Sequence, residues 1–278
     1  MKKISRRSFL AAAGLSVAAL ALTACGGSSA NTASSVASSA SSAVASTSAA
    51  AGELTTVEAG KLTMATNAAF PPYEMTTDAG EFEGIDIETA QAIADKLGLE
   101  LQIDDMDFDA ALLSVQQGKA DIVMAGVTVT DERKAVMDFS DSYATGIQSI
   151  IVPEGSDIAS PDDLAGKKIG TQRGTTGYIY CSDDFGDENV VAYDDGLTAV
   201  QALNNGQVDA VVIDNAPAKE FVAANPGLVI LDTSYAEEDY AIGMAKGSSL
   251  EDAVNAALEE LKADGTLQSI VDKYITAE

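Results

Sequence analysis

The chain predicts an α/β fold of two lobes facing each other across a cleft, and three observations carry that expectation. From about residue 60 onward, apolar segments of strand character alternate with segments of helical periodicity, the βαβα rhythm of helix-covered parallel sheets. About 225 residues follow a low-complexity N-terminal region, long for one core and comfortable for two. A ten-residue pattern also occurs twice, QQGKADIVMA at 116–125 and NNGQVDAVVI at 204–213.

The N-terminus reads as an address. Residues 1–7 (MKKISRR) are basic and residues 9–22 form an apolar run. That run is shorter than the about 20 residues a bilayer span needs, but it has the length of a signal-peptide core. It ends in LTAC (22–25), which resembles the lipobox of bacterial lipoproteins, with cleavage after residue 24 and a lipid on the Cys25 sulfur. SRRSFL at 5–10 looks like a twin-arginine export signal. Residues 26–52 are nearly all Ser, Ala, Thr and Gly and have nothing to build a core with, so 25–53 reads as a lipidated cysteine and a flexible tether.

The elements follow in order. Residues 61–67 predict a strand. Ile87, Ala90, Ile93, Ala94 and Leu97 recur at helical spacing, and Gly98 closes that helix. A strand over 99–103, a helix over 110–117 stopped by Gly118 and a strand over 120–125 come next. Each copy of the repeated pattern is then a helix end, a glycine cap in the left-handed region and a short strand buried on both faces. In register, Gly126 and Asp214 stand at the far ends of the two strands, where open α/β sheets hold their ligands.

Charge and composition narrow the chemistry. The chain has 16 Lys plus Arg against 43 Asp plus Glu, and loss of residues 1–24 leaves 12 basic residues and a net charge of −31. Such a surface repels nucleic acid and anionic lipid headgroups, so nucleic acid is excluded as a partner and membrane attachment falls to acyl chains. Histidine is absent, which excludes Ser-His-Asp and Cys-His catalysis and the usual zinc sites. No metal or cofactor is expected. Asp104, Asp105, Asp107 and Asp109 lack the central glycine and terminal glutamate of a calcium loop and read as a solvated loop. Cys181 is the one cysteine besides Cys25; no intrachain disulfide can form, and the acids at 183 and 184 should raise the Cys181 pKa. Beyond the first repeat come Thr128, Asp131 and Arg133, and the second ends at Asp214. A cation from one lobe and a carboxylate from the other suit a zwitterion, because arginine grips a carboxylate with a planar fork and aspartate accepts from an ammonium.

These residues sit in motifs that resemble the family 3 extracellular solute-binding proteins, the polar amino acid receptors of ATP-driven importers. The resemblance covers about residues 60–276. It rests on ATNAAFPPYE (65–74), GIDIE (84–88), TVTDER (128–133), DFSD (138–141) and GTTG (174–177). It implies a periplasmic-binding-protein-like (type II) fold, with lobe 1 at 54–146 plus 241–278, lobe 2 at 147–240, and hinge-crossing segments near 143–148 and 238–242. It also implies roles. Arg133 would clamp a ligand's α-carboxylate, helped by Thr128 and by Thr176 from the second lobe. Asp214, the Gly126 carbonyl and the Thr128 hydroxyl would take the α-ammonium. Phe70 and Phe108 would sandwich the ligand side chain, Asn67 stands where several relatives carry Asp, and Gln172 would face the pocket.

Other readings stand beside these: Phe70 ahead of Pro71-Pro72 as a loop anchor, Phe108 as the first core residue of its helix, and Asp214 as the cap of a helix over 216–224. Arg173 reads as solvent-exposed. Asn67 in place of a carboxylate removes the obvious counter-ion for a cationic side chain, with Glu74 and Asp78 near in sequence. The implied protein is a monomeric, palmitate-bearing lipoprotein on the outer face of the bacterial cytoplasmic membrane. It delivers a small L-α-amino acid by hinge closure to the permease and ATPase subunits of an ABC importer. Alternatives are a dehydratase-like enzyme using Glu74, Asp214 or Tyr178, and an amino acid sensor or adhesin.

Overall fold

The computed structural model describes residues 54–275. The expected signal peptide, Cys25 and the tether lie outside the described residues. The elements run β1 (Lys61–Thr66), β2 (Ala69–Phe70), β3 (Glu74–Thr76), β4 (Phe82–Glu83), α1 (Ile85–Leu97), β5 (Glu100–Asp105), α2 (Phe108–Gln116), β6 (Ile122–Val123), α3 (Asp131–Val136), β7 (Met137–Phe139) and β8 (Ala144–Pro153). They continue β9 (Ile169–Gln172), α4 (Thr176–Phe185), β10 (Val190–Tyr193), α5 (Gly196–Asn204), β11 (Ala210–Asp214), α6 (Asn215–Ala224), β12 (Leu228–Ile230), β13 (Ala236–Tyr240), β14 (Gly243–Ala245), α7 (Glu251–Ala263) and α8 (Thr266–Tyr274).

Two sheets form the two lobes. The first has the order β5-β1-β6-β14-β7 and the second β10-β9-β11-β8-β12, with β13 also paired to β8. The expected parallel arrangement holds for three strands of each sheet, β5-β1-β6 and β10-β9-β11. The remaining strands are antiparallel, so each sheet is mixed. The cause is topological. The chain leaves the first sheet along β8 and returns along β13, and these two strands pair antiparallel from Ala144 opposite Tyr240 to Gln148 opposite Ala236. Helices α1, α7 and α8 pack together on the first sheet, with Leu62, Met64, Ile93, Val254 and Leu258 in one apolar core.

The two repeat copies do the same structural work. Gly118 and Gly206 both take left-handed φ values, 65° and 68°, just after α2 and α5. The Asp121 N–H donates to the Thr63 carbonyl at 2.9 Å, and its carboxylate accepts from the Thr63 N–H at 2.8 Å. Asp209 repeats this with Lys168, at 2.7 Å and 2.8 Å. Each aspartate therefore pins the start of a central strand to its parallel neighbour. The expected strand over 120–125 shortens to Ile122–Val123, because residues beyond it turn toward the cleft.

Two local expectations change. The acidic run 104–109 is no loop: Asp104 and Asp105 end β5, Asp107 precedes α2 and Asp109 lies in its first turn. Cys181 lies within α4, buried against Ile150, Leu164 and Val212, and burial together with Asp184 pushes its thiol up to about 12.

Candidate functional site

The site starts where β6 ends. Gly126 has φ +55°, and a Cβ there would lie 2.9 Å from the Phe70 ring and 3.3 Å from Tyr240, so the turn admits no side chain. Thr128 then pairs with Tyr240 of the returning strand. Thr130 caps α3, its hydroxyl accepting from the Arg133 N–H at 3.1 Å. This anchors Arg133 in the first turn of a short helix with its side chain turned inward, 8% exposed. Its guanidinium donates to the Thr128 carbonyl at 2.7 Å and to the Gly174 carbonyl of the opposite lobe at 3.1 Å. It lies 5.4 Å from the Phe108 ring centroid, a cation–π contact. Among the described residues Arg133 has no salt-bridge partner, and two of its five N–H donors are spent on carbonyls. Burial lowers its pKa and nearby Glu238 opposes that, and the guanidinium keeps its charge.

The opposite face is the start of α4. Thr175 caps it, accepting from the Tyr178 N–H at 3.2 Å, which leaves Thr176 at the first helical position facing the cleft. Gln172 ends β9 and reaches across to Asn67, Nε2 to Oδ1 at 2.8 Å, while Asn67 donates to the Met106 carbonyl at 3.0 Å. Asp214 ends β11. It occupies the N-cap position of α6 without capping it, because its carboxylate is turned the other way. It accepts from Tyr240 Oη and, at 2.8 Å, from Gln148 Nε2. Burial raises the Asp214 pKa to about 6, more than these hydrogen bonds lower it.

All nine sequence-expected residues, Asn67, Phe70, Phe108, Gly126, Thr128, Arg133, Gln172, Thr176 and Asp214, line one cavity. Glu74, Ala125 and Thr175 complete its wall. The competing readings are partly true as well. Phe70 stacks with Tyr73 at 6.0 Å, and Phe108 is both the first residue of α2 and part of an apolar cluster. Tyr178 is half-buried and not part of the wall, Asp78 is exposed, and Arg173 is exposed and pairs with Asp194.

Sequence reasoning missed the buried roles of four residues, Glu74, Asp86, Gln148 and Glu238. Glu74 and Asp86 are fully buried together beneath Gly126; Asp86 accepts from the Gly126 N–H at 3.0 Å and from Tyr143 Oη at 2.8 Å. Burial and the facing Asp86 push Glu74 well above the usual carboxylate range, which disfavours its charged form and weakens it as a counter-ion to a cationic ligand. Gln148 and Glu238, on the two paired crossing strands, were read only as hinge. Strand parity could have found Glu238: in Ala236–Tyr240 it alternates in phase with buried Tyr240, while Glu237 and Asp239 face out.

The comparisons with known proteins bear on the fold and the family. Residues 62–277 match the bacterial extracellular solute-binding proteins, family 3. The chain is 33% identical over 226 residues to the L-cystine-binding protein of Escherichia coli (strain K12), covering 80% of this chain and 85% of the relative. Among solved structures, the arginine-, lysine-, histidine-binding protein of the thermophilic bacterium Geobacillus stearothermophilus superposes with a TM-score of 0.75 at 34% identity, over 78% of this chain and 96% of its own. An ancestral arginine-binding protein bound to glutamine superposes with a TM-score of 0.75 at 42% identity, over 78% and 99%. With a family match spanning most of its length and relatives of this likeness, the chain belongs to the bacterial extracellular solute-binding proteins, family 3.

Proposed function

We propose that this protein captures a small L-α-amino acid between its lobes and delivers it to the permease and ATPase subunits of an ABC importer. The observation that carries this is the meeting of Arg133 and Asp214, a buried cation and a buried acid from opposite lobes, in the wall of one cavity. Arg133 takes the α-carboxylate through its free N–H donors. Asp214, the Gly126 carbonyl and the Thr128 hydroxyl take the α-ammonium. Phe70 and Phe108 flank the side chain, and Asn67 and Gln172 close its far end. Relatives that bind cystine, arginine, lysine, histidine or glutamine support an amino acid as the ligand class.

The lobes are 54–146 plus 241–278 and 147–240, hinged at 143–148 and 238–242, and closure about these crossings excludes water from the ligand. The chain acts as a binding protein and not an enzyme. Of the candidate acid–base groups, Glu74 and Asp214 share the cavity wall, but Glu74 faces Asp86, Asp214 is held by Tyr240 and Gln148, and Tyr178 lies off the wall. The protein works as a monomer held at the outer face of the cytoplasmic membrane by lipid on Cys25. Labelling cells with an alkyne analogue of palmitate should mark the wild type and not Cys25→Ala.

A thermal-shift screen of the purified protein tests the ligand class, using the twenty L-amino acids, cystine and ornithine, with D-isomers as controls. A ligand at 100 times its Kd adds about 2.7 kcal/mol, a Tm rise of roughly 5–10 °C for a chain of this size. A large shift from one or two L-amino acids supports the proposal and names the ligand. No shift from any of them overturns it.

A further inference from the structure

Glu238 sits at the meeting point of four elements. It lies on β13, 7% exposed, and its Oε2 is the focus of three donors. These are Thr176 Oγ1 of α4 at 2.9 Å, Gln148 Nε2 of β8 at 3.0 Å, and Thr128 Oγ1 beyond β6 at 3.2 Å. Gln148 Nε2 also donates to Asp214 Oδ2 at 2.8 Å, so the amide's donor end faces two carboxylates and its orientation follows. We propose that Glu238 is a positioning residue that sets the direction of the Thr128 and Thr176 hydroxyls, making the cavity select a ligand that brings hydrogen-bond donors, the ammonium group of an amino acid.

The argument is one of proton counting. A hydroxyl has one proton to give and two lone pairs to offer, and a carboxylate only accepts. Thr176 spends its proton on Glu238. Thr128 spends its own either on Glu238 directly or on Thr176, whose oxygen is 3.5 Å away. In both arrangements the hydroxyls have only lone pairs left for the cavity they line with Asp214 and Gly126. Lone pairs accept from an ammonium and repel a carboxylate oxygen. Thr176 therefore belongs with the ammonium subsite through its hydroxyl, a different role from the carboxylate help that the family resemblance implies. Because Thr128 and Thr176 come from opposite lobes, their common acceptor on the crossing strand also ties the subsite's geometry to closure.

This inference rests on the amino acid reading above, and its test separates the two. Wild type, Glu238→Gln and Thr176→Val are titrated calorimetrically with four amino acids and their desamino partners, the latter by displacement at millimolar concentration. The pairs are L-arginine with 5-guanidinopentanoic acid, L-glutamine with 5-amino-5-oxopentanoic acid, L-histidine with 3-(imidazol-4-yl)propanoic acid, and L-cystine with 3,3′-dithiodipropionic acid. Glu238→Gln preserves shape while its new amide gives the hydroxyls a donor to face. We expect the preferred amino acid to lose about tenfold or more in affinity, with its desamino partner changing less than about threefold. Thr176→Val should shift the ratio the same way, and it carries the test if Glu238→Gln fails to fold. An equal loss for both partners, or an unchanged ratio, overturns the role of Glu238 while leaving amino acid capture intact. A wild type that responds to none of the twenty L-amino acids, cystine or ornithine in the thermal-shift screen overturns both.

Discussion

Arg133 and Asp214 are buried without a mutual ion pair, each steadied by neutral groups: two backbone carbonyls for the arginine, a tyrosine and a glutamine for the aspartate. Such an arrangement keeps both charges available to a zwitterion. Removing one partner of a desolvated charge pair costs roughly 2–5 kcal/mol, so Arg133→Ala or Asp214→Ala should weaken ligand binding by at least tenfold with the fold intact by circular dichroism. Unchanged affinity in either variant would sink the site. Asp214 also gives binding a pH dependence. Its pKa of about 6 means it is protonated below that pH, and an ammonium then finds a neutral acid. Amino acid affinity should fall as pH drops below about 6, with proton release on binding at pH 5.5, read by calorimetry in two buffers of different ionisation enthalpy. The sign for stability is the reverse. Carboxyls raised from 3.8 to about 6, as in Asp86 and Asp214, favour the folded state when protonated, each by about 3 kcal/mol at most, and that contribution is lost between about pH 4 and pH 6. With no ligand added, Asp214→Asn should flatten the fall in Tm between about pH 4 and pH 6 relative to wild type.

Among the elements, the repeated Gly-x-x-Asp strands show what the sequence made legible. The two glycine caps, the buried strands and their C-terminal ends were readable because cap and strand chemistry is local. The partner of each aspartate was not, since Thr63 and Lys168 are brought in by parallel pairing with distant strands. The copies differ in burial, and this sets a contrast. Asp121 is 6% exposed and accepts from both Val57 and Thr63, whereas Asp209 is exposed and serves Lys168 alone. Asp121→Ala should cost about 2–4 kcal/mol and Asp209→Ala about 1 kcal/mol or less, measured by denaturant midpoints. Equal costs would mean that burial does not set the strength of the pinning. The nine cavity residues were legible through family-like motifs. The buried roles of Glu74, Asp86 and Glu238, and of the Gln148 amide between two acids, were not, because a buried polar side chain looks like a surface one until the packing that desolvates it is known.

On the scale of the whole molecule, the two α/β lobes followed from length and alternation, while the mixed sheets did not. Antiparallel strands enter because the chain crosses between lobes twice, along β8 and β13, a tertiary event with no local sequence mark. Two hydrogen-bonded crossings restrict the lobes to bending about one axis more than two independent linkers would. X-ray scattering should therefore show a more compact protein when a bound amino acid is added, and Arg133→Ala at the same ligand concentration should stay as it was. A profile indifferent to ligand in the wild type would rule out closure as the response.

The pairing of Ala144 with Tyr240 has a consequence for how such a molecule changes over generations. The second sheet is built wholly from the continuous stretch between these neighbouring residues, and that stretch contributes Gln172, Thr176 and Asp214 to the cavity. Its two ends leave the other lobe side by side, so it is joined like a cassette in a slot. One recombination event replacing residues 144–240 exchanges these cavity residues at once and leaves Arg133 itself in place. Ligand preference can thus be inherited in two parts, each of them spliced in whole.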